Sequence, residues 1–285
     1  MKIFVTGSSG FIGKSFIKEA SKKNNFIFSL SRKKQKKFNS KVKNLCGKLE
    51  DDWSKYLKKT DVVVHLAAAG VQSNQAKQKE IFKTNVINSY KFIKNAIEAG
   101  CTNFLIISTS SEYGYRSTQI KKIGTKLQRK PKDPYSISKA KFTDLIKKLS
   151  KKKELRKCRF RIMRMFPIYG PGEKSYRLYP SIKKAAEEGK NFLIRNPLEY
   201  RDFTKSSFAS KILLNACVFK KKSKKFEIYH VSSNIKMTVL QFAKTLWKRF
   251  KAKGQLITND KKVFLSTHVS DKRSVWKLRT NVKRR

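Results

Sequence analysis

Tyr135 and Lys139 close the run Tyr135-Ser136-Ile137-Ser138-Lys139, a spacing that puts a phenol and an ammonium on one face of a helix. A nearby cation lowers a phenol's pKa, so this pair could pass a proton to or from a substrate oxygen while a hydride moves at the adjoining carbon. Asp133-Pro134 just before it is a helix-entry signal. Upstream, an apolar run ends in Ser108-Thr109-Ser110-Ser111-Glu112-Tyr113-Gly114. Its hydroxyls would stand at the carboxyl end of a sheet strand, where doubly wound folds bind ligands. At the start of the chain, Thr6-Gly7-Ser8-Ser9-Gly10-Phe11-Ile12-Gly13 joins an apolar run to a helix-like stretch. Three glycines so spaced let backbone amides approach a pyrophosphate at a helix N-terminus. A Tyr and a Lys four apart occur often by chance, and a lone glycine motif is weak; their coincidence in this order is specific.

The ribose end is read from the second strand candidate, which finishes Leu30-Ser31-Arg32-Lys33-Lys34. A dinucleotide fold that prefers NAD places an acid there, and none is present. Serine followed by Arg and Lys suits a 2′-phosphate, so NADP(H) is favoured; NAD(H) stays open, because Arg32 and Lys33 also read as part of the general basic excess. No metal centre is expected, since His65, His230 and His268 have no ligand spacing. His65 reads as a strand-end residue packed beside the cofactor loop, Tyr113 and the tryptophans Trp53, Trp247 and Trp276 as packing, and Lys147 to Lys153 as a solvated helix end.

These groups need a scaffold, and the alternation of elements supplies one. Lys2 to Thr6, Asn25 to Leu30, Asp61 to Leu66, Asn103 to Ser108 and Arg159 to Met165 read as strands. Helical stretches separate them, among them Ile12 to about Lys23, Gln75 to Ala99 closed by Gly100, and Tyr135 to about Lys153. Strands alternating with helices predict an α/β fold, a Rossmann-type doubly wound parallel sheet. After Phe166 the rhythm changes around Pro167, Pro171, Pro180 and Pro197. Residues 1–166 are therefore expected to form the NAD(P)-binding domain, and 167–285 mainly a smaller C-terminal α/β substrate lobe, with some return to the first domain around 201–232.

The 285 residues carry 54 lysines and 15 arginines against 19 acids, a formal charge of +50, with 39% hydrophobic and 12% aromatic residues. Such a charge suggests a polyanion partner, yet the aromatic content is that of a chain with a real core. The excess is lysine spread along the whole chain, where nucleic-acid readers favour the planar fork of Arg. Nucleic acid is accordingly expected only as an incidental polyanion. Cys46, Cys101, Cys158 and Cys217 lie far apart without a CxxC pair, and no apolar run reaches the roughly 18 residues needed to cross a bilayer. With an apolar run starting at Ile3 and no h-region, the expectation is a reduced, cytoplasmic protein with no membrane partner.

Taken together, these motifs resemble the extended short-chain dehydrogenase/reductase family, the NAD(P)-dependent nucleotide-sugar epimerases, dehydratases and reductases. Further points of likeness are His65-Leu66-Ala67-Ala68, Thr84-Asn85-Val86, Tyr169-Gly170-Pro171-Gly172-Glu173 and Arg201-Asp202-Phe203. The resemblance implies that Thr109 hydrogen-bonds the sugar oxygen beside a catalytic Tyr135, and that Lys139 holds the nicotinamide ribose. It implies that Ala67 and Ala68 line the cofactor, that Asn85 supports the site, and that Arg201 contacts a nucleotide diphosphate, with Ser110, Ser111, Pro167 and Arg177 on the substrate side. It also implies a homodimer.

Departures narrow the expectation. The 4,6-dehydratases carry an Asp-Glu pair after that Thr; here Ser110 and Ser111 stand there, and a hydroxyl does not replace a carboxylate base at neutral pH. The favoured activity is an NADPH-dependent reduction of a 4-keto-6-deoxy nucleotide sugar, with a redox-neutral, NAD-dependent 4-epimerase as the alternative. Pro167 where many members have Asn, Lys48 where an acid often faces adenine, and Lys205-Ser206-Ser207 in place of an acidic segment keep a catalytically silent member open, and the charge keeps an RNA-binding member open although the intact Tyr135/Lys139 pair opposes it.

Overall fold

A computed structural model describes residues 1–36, 38–71, 77–114, 122–258 and 267–278. In chain order the first part contains β1 (Lys2–Thr6), α1 (Phe11–Ala20), β2 (Phe26–Ser31), β3 (Val42–Cys46), α2 (Ser54–Leu57), β4 (Val62–His65), α3 (Gln78–Phe82), α4 (Ser89–Glu98), β5 (Asn103–Thr109), α5 (Pro134–Leu149) and β6 (Arg159–Met165). The second part contains β7 (Ile168–Tyr169), α6 (Leu178–Glu187), β8 (Phe192–Ile194), β9 (Tyr200–Asp202), β10 (Thr204–Lys205), α7 (Ser206–Ala216), β11 (Phe226–Val231), β12 (Lys236–Thr238), α8 (Val239–Arg249), β13 (Leu256–Thr258) and β14 (Thr267–His268).

Seven strands form one sheet in the order β3-β2-β1-β4-β5-β6-β11, every neighbouring pair parallel. Its side chains alternate between two faces. Ile3, Val5, Val62, Val64, Leu105 and Ile107 pack with α1 and α7 on one side, while Phe4, Phe28, Val63, Phe104, Ile106 and Phe160 pack with α4 and α5 on the other. A strand covered on both faces must be apolar at consecutive positions, which is why Val62–Val64 reads as an unbroken apolar run. The order of build reverses between β1 and β4, so the loops leaving their carboxyl ends run to helices on opposite faces and leave between them the crevice that doubly wound sheets use for ligands.

Two sheet strands were not expected from the sequence. The edge strand β3 buries only Val42 and Leu45, and its lysine-rich flanks conceal it. β11 lay within the segment expected to return to the first domain, without being read as a strand. The expected Gln75–Ala99 helix starts later, at Gln78, and is interrupted by a π turn over Lys83–Asn88; residues 72–76 lie outside the described ones. A separate hydrophobic cluster in the second part of the chain gathers Tyr179, Ile182, Ile194, Phe203, Phe242 and Leu246, with Phe203 and Phe242 stacked at 3.9 Å and 5°. Among the described residues no helix is long and apolar enough to cross a membrane, and the four cysteines are free.

Candidate active site

The glycine turn is built by close contact. Gly7 has φ +68°, and a Cβ there would stand 2.6 Å from the Ala67 amide nitrogen; one at Gly13 would stand 2.3 Å from the Gly7 carbonyl. Both positions therefore exclude a side chain, and α1 is drawn down onto the turn. Helix α1 begins at the extended Gly10 with no side-chain cap, leaving amides at its N-terminus for an anion. Ser9 and Gly10 are exposed there, and Phe11 and Ile12 half-buried. This cradle fits a dinucleotide pyrophosphate. At the end of β2, Ser31 is buried and donates to the Lys33 carbonyl at 2.6 Å, while Gln35 Nε2 reaches the hydroxyls of Ser31 (2.9 Å) and Ser8 (2.8 Å). Arg32 and Lys33 are exposed beside them.

The loop carrying Ala67 and half-buried Ala69 is fixed from two sides. Ser89 donates its only hydroxyl proton to the Thr84 carbonyl, so it must accept from His65 Nε2–H at 2.9 Å. Burial, with Lys139 nearby, lowers the His65 imidazole to a pKa of about 3. The ring is thus neutral, and Nδ1 accepts from Thr6 Oγ1 at 2.9 Å, which itself accepts from the Ala67 amide at 3.3 Å. His65 keeps its expected place beside the cofactor loop and adds a hydrogen-bonded relay from that loop to the π turn. On the other side Asn85 accepts from Ala69 N–H (2.7 Å) and donates to Ala69 C=O and to Ser138 Oγ (each 2.9 Å). Ser138 in turn donates to the Tyr135 carbonyl at 2.7 Å. The π turn is the local distortion that brings Asn85 to these partners.

Tyr135 and Lys139 share a face of α5, whose start is set by Pro134 and by Asp133, which accepts from Ser136 N–H at 2.9 Å. Thr109 caps the turn after β5, accepting from Ser111 N–H at 3.1 Å. Burial pushes the Tyr135 phenol up, as do Asp133 and Glu112, while Arg177 pulls it down. Lowering of that phenol by Lys139, expected from the sequence, is not what acts here. Instead Lys139 is itself shifted: at 3% exposure its ammonium falls to about 8 through burial, partly offset by Glu112.

Glu112 is a buried anchor to which the sequence reading gave no role. It is fully buried and accepts from Ser108 Oγ, from Thr143 Oγ1 (3.2 Å), from Arg129 Nη1 (3.1 Å) and from Arg164 Nη2 (2.9 Å). Arg164 also donates to Tyr113 OH at 2.6 Å. Ser270 donates to the Asp271 carbonyl and so accepts from His230 Nδ1–H at 2.8 Å. The neutral His230 ring, lowered to about 3 by burial and Arg164, then accepts from Tyr113 at 2.7 Å through Nε2. Tyr113 is therefore a polar link and not simple packing. Behind Thr109 and below Lys139, these groups form a hydrogen-bonded polar floor in which Arg164 Nε is left without a partner.

On the substrate side, Ser110 is buried and shares a proton with His268 Nε2 at 2.6 Å; Ser111 Oγ accepts from Thr109 at 3.1 Å. Pro167 directs its carbonyl to Thr204 N–H at 2.8 Å. Arg177, exposed at the start of α6, pairs with Glu173 at 3.4 Å, and Glu173 keeps one buried oxygen with no hydrogen-bond partner. Arg201 on β9 is held by Glu199 at 2.6 Å, beside the buried Asp202, which anchors Ser232 and Ser233.

A family model, the NAD dependent epimerase/dehydratase family, matches residues 3–232. The chain belongs to that family. Within it, the chain is 27% identical over 190 residues to the dTDP-D-glucose 4,6-dehydratase of Bos taurus, covering 66% of this chain and 51% of that protein. The chain thus spans about half the length of the dehydratases it matches. Among solved structures of the same fold, MoeE5 in complex with UDP-glucuronic acid and NAD superposes with a TM-score of 0.83 at 19% identity, covering 98% of this chain and 94% of that one. RMD from Pseudomonas aeruginosa complexed with NADPH superposes with a TM-score of 0.77 at 18% identity, covering 98% and 93%. The epimerase/dehydratase match ends at Val231-Ser232, so β14 and His268 lie outside it.

Proposed function

We propose that this chain transfers a hydride at C4 of a nucleotide-diphosphate sugar, and that it works as an NADPH-dependent reductase of a 4-keto sugar. What supports the proposal is that Thr109 ends β5 at the carboxyl edge of the sheet, that α5, with Tyr135 and Lys139 on one face, packs against β5, and that the glycine turn before α1 has no side-chain cap. When bound, the nicotinamide would supply the hydride. Tyr135, held protonated by burial, would give its proton to the C4 oxygen as charge develops there, and Thr109 would hold that oxygen in line. Lys139 would hold the ribose and keep a positive charge beside the phenol. Arg201 would meet the sugar diphosphate, and a basic surface would speed the capture of two polyphosphate ligands.

The preference for NADPH rests on the end of β2, where Ser31, Arg32, Lys33 and Gln35 stand and no acid is present. The pair of serines after Thr109 favours reduction over a 4,6-elimination, which needs a carboxylic acid and base. The second reading is a redox-neutral 4-epimerase, favoured by the fold likeness to MoeE5, whose structure holds UDP-glucuronic acid and NAD. Cytoplasmic location and a homodimer fit either reading.

The deciding experiment is NADPH oxidation against a panel of 4-keto nucleotide sugars, with NADH as control and the cofactor content of the purified protein measured alongside. Tightly retained NAD and interconversion of C4 epimers without net oxidation would favour the epimerase. In either assay Tyr135→Phe should lower kcat by about 10²–10⁴-fold while NADPH affinity stays within about twofold. Full turnover by that variant would defeat the assignment.

A further inference from the structure

We infer that His268 is a positioning residue of the sugar subsite, acting through Ser110 on a hydroxyl of the bound sugar. This deepens the proposal that the end of β5 holds a nucleotide sugar, and it rests on that reading. Four segments remote in sequence meet at this point. Ser110 follows Thr109 at the carboxyl end of β5 and is 3% exposed. His268 reaches it from β14 with a 2.6 Å contact between Nε2 and Oγ. Strand β14 lies parallel to β9 with His268 in register with Arg201, and Phe166, at the end of β6, packs its ring 5.3 Å from the imidazole.

The arrangement fixes a hydroxyl more tightly than the fold requires. A serine at the end of a strand ordinarily satisfies itself on local backbone or water. Here the rotamer of Ser110 is set by an imidazole, and the imidazole is set by an aromatic ring and a strand register. Burial and Arg201 hold His268 at about 4, with Glu199 opposing, so the ring is neutral at physiological pH and makes one directed hydrogen bond to Ser110. Ser110 keeps its remaining hydrogen-bonding capacity for whatever lies against Thr109. If Thr109 holds the reacting oxygen, that partner is the hydroxyl on the neighbouring ring carbon. A sugar with a hydroxyl there would be preferred over its deoxy analogue, since loss of that partner strands a buried polar group.

The test compares His268→Phe, Ser110→Ala and the double variant, with His268→Gln as the conservative control and thermal midpoints to verify folding. The expected result is a roughly tenfold higher KM for the sugar in each single variant, the worth of about one hydrogen bond. kcat should stay within about threefold and NADPH affinity unchanged. The double variant should be no worse than either single one, and His268→Gln should recover part of the loss. An unchanged KM in a folded His268→Phe, multiplicative losses in the double variant, or an equal loss of NADPH affinity would each overturn the inference alone. A wild-type protein that neither binds nor turns over any nucleotide sugar would overturn both it and the parent proposal.

Discussion

A lysine ammonium at 3% exposure, making no ion pair among the described residues, is an expensive thing to keep. Lys139 meets that cost partly by titrating early, near 8 where an ordinary lysine titrates at 10.5. The charged form is the one the proposed chemistry uses, so kcat/KM should fall as pH rises through about 8, and a pH profile of the reductase reaction would show the limb. For stability the sign is opposite. Between 8 and 10.5 the unfolded chain binds more protons at this position than the folded one, so this group's contribution favours the fold as pH rises. Lys139→Met should therefore be inactive but at least as stable as wild type in a thermal melt. At the other end of the crevice, Arg32→Asp should raise the KM for NADPH about tenfold or more and improve use of NADH, because a carboxylate repels a 2′-phosphate and accepts from a free ribose hydroxyl. Steady-state kinetics with both cofactors would show whether the preference inverts.

The π turn between α3 and α4 joins the loop at Ala69 to α5 through the Asn85 carboxamide. Asn85→Ala would orphan the half-buried Ala69 peptide groups and one acceptor of Ser138. It should lower stability by about 2–3 kcal/mol in a urea titration and reduce kcat by loosening Tyr135. The glycine turn, the hydroxyl cluster and the Tyr135/Lys139 pair were legible in the sequence because each needs a fixed spacing within one element or one turn. The alternation of strands and helices was legible for the same reason. The polar floor was not. Glu112 meets Arg164 across 52 positions, Tyr113 meets His230 across 117, and Ser110 meets His268 across 158. No local pattern encodes such contacts, and each histidine taken alone reads as packing. The π turn escaped notice because a tertiary hydrogen bond, not helix propensity, dictates it.

Among the described residues the positive charge is mostly solvent-facing lysine, whereas Lys139 is buried without an ion pair and the buried histidines are neutral. His65, His230 and His268 are all held neutral by burial, with pKa values of about 3, 3 and 4 against an ordinary 6.5. As pH falls below 6.5 the unfolded chain takes up three protons that the folded chain refuses, so stability falls with falling pH. Between pH 6.5 and 5.5 the loss should be about 1 kcal/mol per imidazole, read as a shift of the urea midpoint. A protein whose midpoint is flat across that interval would contradict the neutral tautomers. The relay from Arg164 through Tyr113 and His230 to Ser270 has a consequence for recombination between relatives. Its donors all point one way, and each link works only with the next, although the residues come from four separate stretches of chain. A chimera that takes residues 1–232 from one parent and the remainder from another would split Ser270 from its partners. Viable hybrids should co-inherit positions 113, 164, 230 and 270, so the tail that brings His268 to the crevice would be exchangeable only together with the floor beneath it.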